Sequence, residues 1–164
     1  TNESFALSKY GSSGSEVRQI QTKLKRWGYY SGSVDGIYGS RTVAAVRSFQ
    51  AKNGLTVDGI AGKRTLEAMG QVAVGAVVLN RVKSSSFPNT IAGVIYQKGA
   101  FDAVSDGQIN YAPDSTAINA ARDALNGWDP TSGCIYYFNP STATSKWIWS
   151  RPHVITIGKH RFCK

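Results

Sequence analysis

The stretch Val34–Thr42, which reads VDGIYGSRT, returns further along the chain as Val57–Thr65, which reads VDGIAGKRT. The copies agree at Val, Asp, both Gly, Ile, Arg and Thr, an agreement that chance does not produce. In each copy the Asp-Gly step predicts a tight turn, because an Asp side chain bonds the backbone ahead of it and glycine accepts positive φ. The second glycine then precedes a helix. The repeat therefore predicts two similar turns, each leading into a helix.

Apolar residues at helical spacing complete the first half of the chain. Val17, Ile20 and Leu24 predict a helix that Ser15 caps and that stops near Gly28. Further helices are expected from the apolar residues of 43–49 up to the Asn-Gly pair at 53–54, and over 63–69. Residues 1–69 are thus expected to form a compact three-helix unit.

The second half, residues 70–164, opens with an apolar stretch at Gln71–Val82 that is typical of a buried helix. Two shorter helices are expected, one that begins after Thr90 and one that begins at Asp114 or Ser115. The run Ile135–Pro140 predicts an extended segment, and 154–162 predicts a hairpin that turns at Gly158-Lys159. The expected class is α+β, mostly helical with a small sheet.

The chain has 164 residues, 41% of them hydrophobic, and a formal net charge of +9. These values exclude disordered and collagen-like chains, and the longest apolar stretch is far shorter than the ~20 residues of a membrane span. The positive charge is spread over both halves, which suits a polyanion such as nucleic acid, acidic lipid or anionic cell-wall polymer. A nucleic-acid-associated protein ranks last, because the sequence has no basic helix, zinc finger or RNA-binding strand motif.

The cysteines and histidines indicate no cofactor. Cys134 and Cys163 permit one disulfide without implying it. His160 and Cys163 together are too few ligands for a tetrahedral zinc site. We therefore expect no metal and no cofactor.

The doubled motif, with the Leu24–Tyr30 segment before it, resembles the peptidoglycan-binding domain that accompanies many cell-wall hydrolases, over roughly Lys9–Met69. A glycan with N-acetyl groups is held by apolar faces and a few hydrogen bonds. The candidate glycan contacts in this module are Tyr29, Tyr30, Tyr38 and Arg41. The alternative is that Tyr29 and Tyr30 simply pack on the helices.

The second half closely resembles the C-terminal part of the catalytic domain of spore cortex-lytic enzymes. The resemblance rests on strings such as Leu79–Val82, Ser86–Thr90, Ala103–Ile109, Tyr136–Pro140 and Ser145–Trp149. It implies a lysozyme-like domain over 70–164 and a lytic transglycosylase that cuts cortex peptidoglycan containing muramic lactam during germination. It also implies an exported protein whose signal peptide has been removed. The implied location is the spore cortex, the coat or the surface of the inner spore membrane, and the implied partner is cortex peptidoglycan. Whether an accessory spore protein takes part stays open.

One departure from the family concerns the catalytic acid. The family has a Gly-Glu-x-Arg-Gly-Glu-Pro-like string ahead of this domain, and its first Glu is the acid. Here Met69-Gly70 runs straight into Gln71, and Glu occurs only at positions 3, 16 and 67. The catalytic residue is therefore unknown. Asp106 is a weak substitute that more readily makes an Asp-Gly turn, and the remaining carboxylates of this half are Asp102, Asp114, Asp123 and Asp129.

Aromatic residues offer a second binding surface. Sugar C–H faces stack on aromatic rings, and amide or ammonium groups donate to N-acetyl or lactam oxygens. If residues 145–149 are extended, Trp147 and Trp149 face the same way. The alternative is a buried aromatic cluster, with Trp149 as the more buried of the two. The candidate substrate contacts of this half are Tyr136, Tyr137, Asn139, Lys146 and Trp147.

Three functional hypotheses remain open. The first is a cortex-lytic transglycosylase whose acid segment is missing between Gly70 and Gln71. The second is a peptidoglycan-binding protein without catalysis, and the third is the nucleic-acid-associated protein.

Overall fold

A computed structural model describes residues 7–164, and the chain divides into two compact units, Thr1–Met69 and Gly70–Lys164. Glu3, one of the three glutamates, lies outside the described residues. Among the described residues, no helix combines the length and apolar character that a membrane crossing requires.

The first unit contains helix α1 (Ser15–Arg26), helix α2 (Ser40–Lys52) and the start of helix α3 (Lys63–Lys83). The apolar part of its core includes Val17, Ile20 and Leu24 of α1, as their spacing predicts. The N-cap is Gly14 and not Ser15, which is already helical. Gly14 has φ 119°, so the chain enters the helix through a conformation that only glycine adopts readily.

Aromatic contacts join the first two helices. The Trp27 ring, just after α1, stacks on Phe49 of α2 with centroids 5.3 Å apart, and Tyr29 meets Phe49 edge-on at 5.6 Å. Asn53 is the C-cap of helix α2, and Gly54 follows with φ 67°, as the Asn-Gly pair predicts. The three-helix prediction for this unit is confirmed.

Helix α3 does not stop at Met69, which corrects the prediction of separate helices over 63–69 and from Gln71. It continues through Gly70 to Lys83. A single glycine inside a helix costs about 1 kcal/mol relative to alanine but ends a helix only where φ turns positive, and Gly70 is not such a position.

The second unit adds short helices after α3. Helix α4 is Ile91–Ile95, α5 is Asp102–Ser105 and α6 is Ser115–Leu125, with a 3-10 turn at Gln108–Asn110. Thr90 accepts from the backbone N–H of Gly93, and Asp114 accepts from that of Ala117. Both caps lie where the sequence predicts them.

A three-stranded antiparallel sheet closes the second unit. Its strands are β1 (Tyr136–Phe138), β2 (His153–Ile157) and β3 (His160–Cys163), in the order β1-β3-β2. Tyr137 pairs with Phe162 in the register of β1 and β3. The hairpin turns at Gly158-Lys159, and the mostly helical α+β class is confirmed.

Lys146–Trp149 forms the short helix α7 and is not extended, so the condition for Trp147 and Trp149 to face the same way is not met. Successive residues of a helix are rotated by about 100°, so residues two apart point to nearly opposite sides. Trp147 and Trp149 therefore do not share a face.

Candidate functional site

A buried glutamine organises the first turn of the repeat. Gln21 of α1 donates through Nε2 to Oδ1 of Asp35 at 2.9 Å, to the Ile37 carbonyl at 3.0 Å and to Oγ1 of Thr42 at 3.0 Å. Its Oε1 accepts from the backbone N–H of Gly36 at 2.9 Å. One side chain thus fixes the turn and the first residues of α2.

Gln50 of α2 makes the same four bonds in the second copy. Its Nε2 lies 2.8 Å from Oδ1 of Asp58, 3.0 Å from the Ile60 carbonyl and 3.1 Å from Oγ1 of Thr65, and its Oε1 accepts from Gly59 N–H at 2.9 Å. Sequence reasoning missed both glutamines, because Gln21 and Gln50 lie at different distances in sequence from the start of the copy that follows each. The feature that could have revealed them is the presence of a Gln in the helix before each copy.

Each turn opens a cavity beside a helix N-terminus. The first cavity has a volume of about 340 Å³ and the second one of about 360 Å³. In the first, the exposed Arg41 lies with Asp35 and Ile37, and in the second Arg64 lies with Asp58 and Ile60. Backbone N–H groups of Ile37 and Ile60 hold the pKa values of the two aspartates below the ordinary value.

The tyrosines predicted to bind glycan separate into different environments. Tyr29 and Tyr30 line a third cavity, of about 410 Å³, together with Arg41. Tyr30 is nonetheless mostly buried, and its hydroxyl donates to the Ser33 carbonyl at 2.8 Å. Tyr38 is fully buried and donates to the Gly59 carbonyl at 2.8 Å, which excludes it as a surface contact and corrects that prediction.

In the second unit, Tyr136, Trp147 and Arg151 form one aromatic and cationic cluster. The Tyr136 and Trp147 rings meet edge-on at 5.1 Å. The Arg151 guanidinium lies 5.5 Å from the Tyr136 ring centre and 5.3 Å from that of Trp147. Trp147 is 53% exposed, so ring surface remains open to a ligand.

A parallel cluster contains Phe138, Trp149 and Arg161. Phe138 and Trp149 are 4.9 Å apart, and the Arg161 guanidinium lies 5.3 Å from the Trp149 ring. Trp149 is 44% exposed and donates through Nε1 to the Ala143 carbonyl at 3.1 Å. It is less exposed than Trp147, but it is not buried.

The other three residues predicted to contact substrate differ in their packing and exposure. Tyr137 packs against Phe162 at 5.6 Å and His160 at 5.2 Å, and burial raises the pKa of its hydroxyl. Asn139 accepts from the Ser141 N–H at 3.0 Å and so makes a turn, while Lys146 is exposed at the start of α7. The structure therefore brings Tyr136 and Trp147 into ring contact, whereas Tyr137 faces other partners.

Arg81 of α3 is a buried cation that sequence reasoning missed. It is 8% exposed, and its Nε donates to the Ile135 carbonyl at 2.7 Å. Its guanidinium lies over the rings of Phe87 at 5.0 Å and Phe101 at 5.2 Å. Burial lowers the pKa of Arg81, and the described residues place no carboxylate in ion-pair contact with it.

Three aspartates of the second unit lie at turns or helix starts and are exposed. Asp106 is exposed and accepts from the backbone N–H of Gln108 at 3.0 Å, beside Gly107 with φ 84°. Asp102 is exposed at the start of α5, and Asp114 caps α6. None of these three lies in the apolar surroundings that a general acid with a raised pKa needs.

Two further aspartates are less exposed. Burial would raise the pKa of Asp129, but hydrogen bonds from Thr131 and Asn80 outweigh it and keep the pKa below the ordinary value. Asp123 is only 4% exposed, and its Oδ2 has no hydrogen-bond partner among the described residues. A sugar oxygen cannot reach a carboxylate covered to that extent.

Cys134 and Cys163 are both free thiols. Burial raises the pKa of Cys134 to about 11 and raises that of Cys163 as well. Burial also lowers the pKa of His160, whose ring packs against Tyr137. Within the described part of the chain, no group of three or more His, Cys, Asp or Glu side chains could hold a metal ion.

Known families match both units. Residues 67–163 match the cell wall hydrolase family, and residues 13–69 match the putative peptidoglycan binding domain. The spore cortex-lytic enzyme of Bacillus cereus is 41% identical over 219 residues, which cover 94% of this chain and 85% of the relative. The spore cortex-lytic enzyme of Bacillus subtilis is 31% identical and covers 94% of this chain and 88% of the relative.

Solved structures agree with these relatives. The catalytic domain of the germination-specific lytic transglycosylase SleB from Bacillus anthracis is 43% identical, with a TM-score of 0.58, over 92% of this chain and 96% of that one. The catalytic domain of the Bacillus cereus SleB protein is 41% identical, with a TM-score of 0.55, over 96% and 98% of the two chains. The chain belongs to the cell wall hydrolase family and carries a peptidoglycan-binding domain.

The match to the Bacillus cereus enzyme is longer than this chain. It extends over 219 aligned residues, whereas the chain has 164. The relative therefore has residues inside the match that find no counterpart here.

Proposed function

We propose that this protein acts on spore cortex peptidoglycan during germination, outside the cytoplasm at the spore cortex. The first unit binds the glycan strand, and the second unit has the fold of lytic transglycosylases, which cleave such strands. The structural observation behind the proposal is the half-exposed Trp147 ring in contact with both Tyr136 and Arg151. The spore cortex-lytic enzymes, which match over 94% of this chain, supply the substrate class.

The Trp147 cluster suits an amino sugar. The open indole surface can stack on the C–H face of a pyranose ring, and the edge contact with Tyr136 keeps the indole in place. Arg151 carries guanidinium donors for a carbonyl or a peptide carboxylate. Lys146 on the same helix turn and the Asn139 amide, close to β1 in sequence, supply further donors.

Arg41 is the main glycan contact that we propose in the first unit. It lines both the cavity beside Asp35 and the cavity that Tyr29 and Tyr30 line. Its side chain is exposed and can donate to an N-acetyl carbonyl while the tyrosine edges contact the sugar ring.

Cleavage by a lytic transglycosylase needs one carboxylic acid that protonates the leaving glycosidic oxygen. The sugar's own 6-hydroxyl then attacks the anomeric carbon and closes an anhydro ring. The second unit contains no Glu, and its aspartates lie in caps, turns or covered positions. We therefore propose that these 164 residues bind cortex glycan without cutting it, and that cutting requires the acid-bearing segment.

The same observation favours a second candidate function. A peptidoglycan-binding protein without its acid would keep both glycan surfaces and lose only the chemistry. The two candidates differ in whether the acid segment restores activity.

Binding is tested by co-sedimentation of the full chain with cortex fragments. Trp147→Ala should weaken binding about fivefold, because a stacked ring contributes about 1 kcal/mol. Tyr111→Ala is the matched control, since Tyr111 is 74% exposed and makes no ring contact among the described residues. Equal binding by both variants and the parent would remove the Trp147 cluster from the proposed site.

Cleavage is tested by mass spectrometry of the muropeptides released from cortex. The 164-residue chain should release none, and insertion of a Gly-Glu-x-Arg-Gly-Glu-Pro helix ahead of Gln71 should yield anhydro-muramic ends. General acid catalysis contributes typically ~100-fold to 10,000-fold, so the difference is measurable. Anhydro products from the parent chain would show that an aspartate acts as the acid, and Asp106→Asn would be the first variant to make.

Reducing ends from the extended chain would indicate hydrolysis in place of ring closure. No products from the extended chain would favour the peptidoglycan-binding protein.

A further inference from the structure

The second cavity of the first unit shares six repeat positions with the first, and five of the six residues are identical. The first is lined by Asp35, Ile37, Gly39, Ser40, Arg41 and Thr42, and the second by Asp58, Ile60, Gly62, Lys63, Arg64 and Thr65. Their volumes, about 340 and about 360 Å³, nearly agree. The duplicated sequence has thus produced two cavities of similar size that share an aspartate, an isoleucine, an arginine and a threonine.

We propose that the first unit is bivalent, with a second site for an N-acetylated sugar at the cavity of Asp58 and Arg64. This inference rests on the proposed function, which places the glycan contacts of this unit around Arg41 in the first copy. It goes beyond that function by adding a second, independent site.

The second cavity has an acceptor in place. Oδ1 of Asp58 accepts from Gln50 at 2.8 Å and from the Ile60 N–H at 2.9 Å. Every hydrogen bond that the described residues make to this carboxylate ends on Oδ1, so Oδ2 is available to a ligand. The same division holds at Asp35, where Gln21 and the Ile37 N–H occupy Oδ1 at 2.9 Å each.

A donor lies in the same cavity. Arg64 is exposed, and the described residues place no carboxylate in ion-pair contact with it. Lys63, whose ammonium lies 4.0 Å from the Glu67 carboxylate, stands where the first copy has Ser40, which adds a second cation at this cavity alone. The second site therefore has at least the donor capacity of the first.

These groups match an acetamido substituent. Its N–H can donate to Oδ2 of Asp58, its carbonyl can accept from the Arg64 guanidinium, and its methyl can contact Leu55 and Ile60 in the same lining. A glycan strand repeats this substituent along its length. A strand bound at one site raises the local concentration of acetamido groups at the other, which increases avidity without any new kind of contact.

The test is an NMR titration of the full chain with N,N′-diacetylchitobiose. We expect two groups of shifted backbone resonances, one over 35–42 and one over 58–65. Arg64→Ala should weaken binding at the second group at least tenfold and leave the first unchanged, and Arg41→Ala should do the reverse. Arg64→Lys keeps the charge but loses the planar donor pair, so it should weaken the second site partially. Arg122→Ala is the control, because this exposed arginine lies in the second unit.

The outcomes separate the two proposals. Shifts confined to 35–42, or loss of both groups in either single variant, would overturn the second site and leave glycan binding intact. Shifts at neither group, with co-sedimentation on cortex retained, would also overturn the second site. Loss of co-sedimentation as well would overturn the proposed function itself.

Discussion

The side-chain nitrogen of Gln21 lies 2.9 Å from Oδ1 of Asp35, and Gln50 holds Asp58 in the same way at 2.8 Å. In each pair a buried helix residue reaches the turn that follows that helix and also accepts from the turn glycine. Each amide thus uses its oxygen and its nitrogen at once. Each turn therefore combines its own local Asp bond with support from a glutamine of the preceding helix.

Replacement of Gln21 by Met should destabilise the first unit by on the order of 2 kcal/mol. The substitution keeps the side-chain length but leaves the buried Gly36 N–H without its acceptor and Asp35 without its side-chain donor. Urea unfolding of the full chain, with hydrogen exchange to locate the loss, measures the effect. Gln19→Met is the control, since Gln19 is exposed on the same helix. Equal unfolding midpoints for the two variants would contradict the role of the network.

Valine at Gly36 or Gly59 should cost on the order of 1 to 3 kcal/mol and reduce peptidoglycan binding through loss of fold. Both glycines have φ 74°. A Cβ would lie 2.9 Å from the Arg18 side chain at Gly36 and 2.8 Å from Val43 at Gly59. Gly39→Ala is the matched control, because Gly39 has φ −92° and open space around the added carbon. Thermal melts and sedimentation with sacculi check this, and normal stability with normal binding in both valine variants would refute the paired-turn interpretation.

The stability of the chain should rise with pH above 8 because of Lys23. Burial lowers the pKa of Lys23 from its ordinary 10.5 to about 8, although Glu16 acts in the opposite direction. Between these two values the unfolded chain binds a proton that the folded chain has released, so the free energy of unfolding increases with pH. The full effect amounts to about 3 kcal/mol at 1.36 kcal/mol per pKa unit.

Urea titrations from pH 7 to 11 measure this effect as a difference between the parent and Lys23→Met. The variant should be more stable at pH 7, and its advantage should shrink as the pH rises towards 10.5. Lys9→Met, at an exposed lysine, controls for the loss of one charge. A constant difference across this pH range would show that Lys23 is not desolvated.

Arg81→Met should destabilise the second unit by roughly 2 kcal/mol. The substitution removes the donor to the Ile135 carbonyl and the cation above the Phe87 and Phe101 rings. Arg81→Lys should rescue little, because an ammonium group lacks the Nε–H and the planar shape of guanidinium. Near-UV circular dichroism during urea unfolding reports the aromatic cluster, with the exposed Lys83→Met as control. Parent-like stability of Arg81→Met would show that the buried cation is not structural.

Local sequence determined the turns and caps of this protein. The Asp-Gly steps, the Thr90 and Asp114 caps and the hairpin at Gly158-Lys159 depend on bonds between residues two to four apart, so the residue types suffice to predict them. The four residues at 146–149 are too few to separate one helical turn from a short strand, so only the structure shows that Trp147 and Trp149 point to different sides. Gly70 is not the helix boundary that the sequence predicts, because the φ of a glycine and not its identity decides whether a helix stops.

The amino-acid sequence by itself determined the repeat and the mostly helical α+β class, and it supplied the candidate glycan contacts. Only the tertiary structure decided which of those candidates are exposed. Tyr38 is fully buried while its neighbour Ile37 is 59% exposed, and Arg81 is enclosed by rings from distant parts of the chain. Burial and ring contact depend on residues far apart in sequence that meet only when the core forms, so no local pattern contains them.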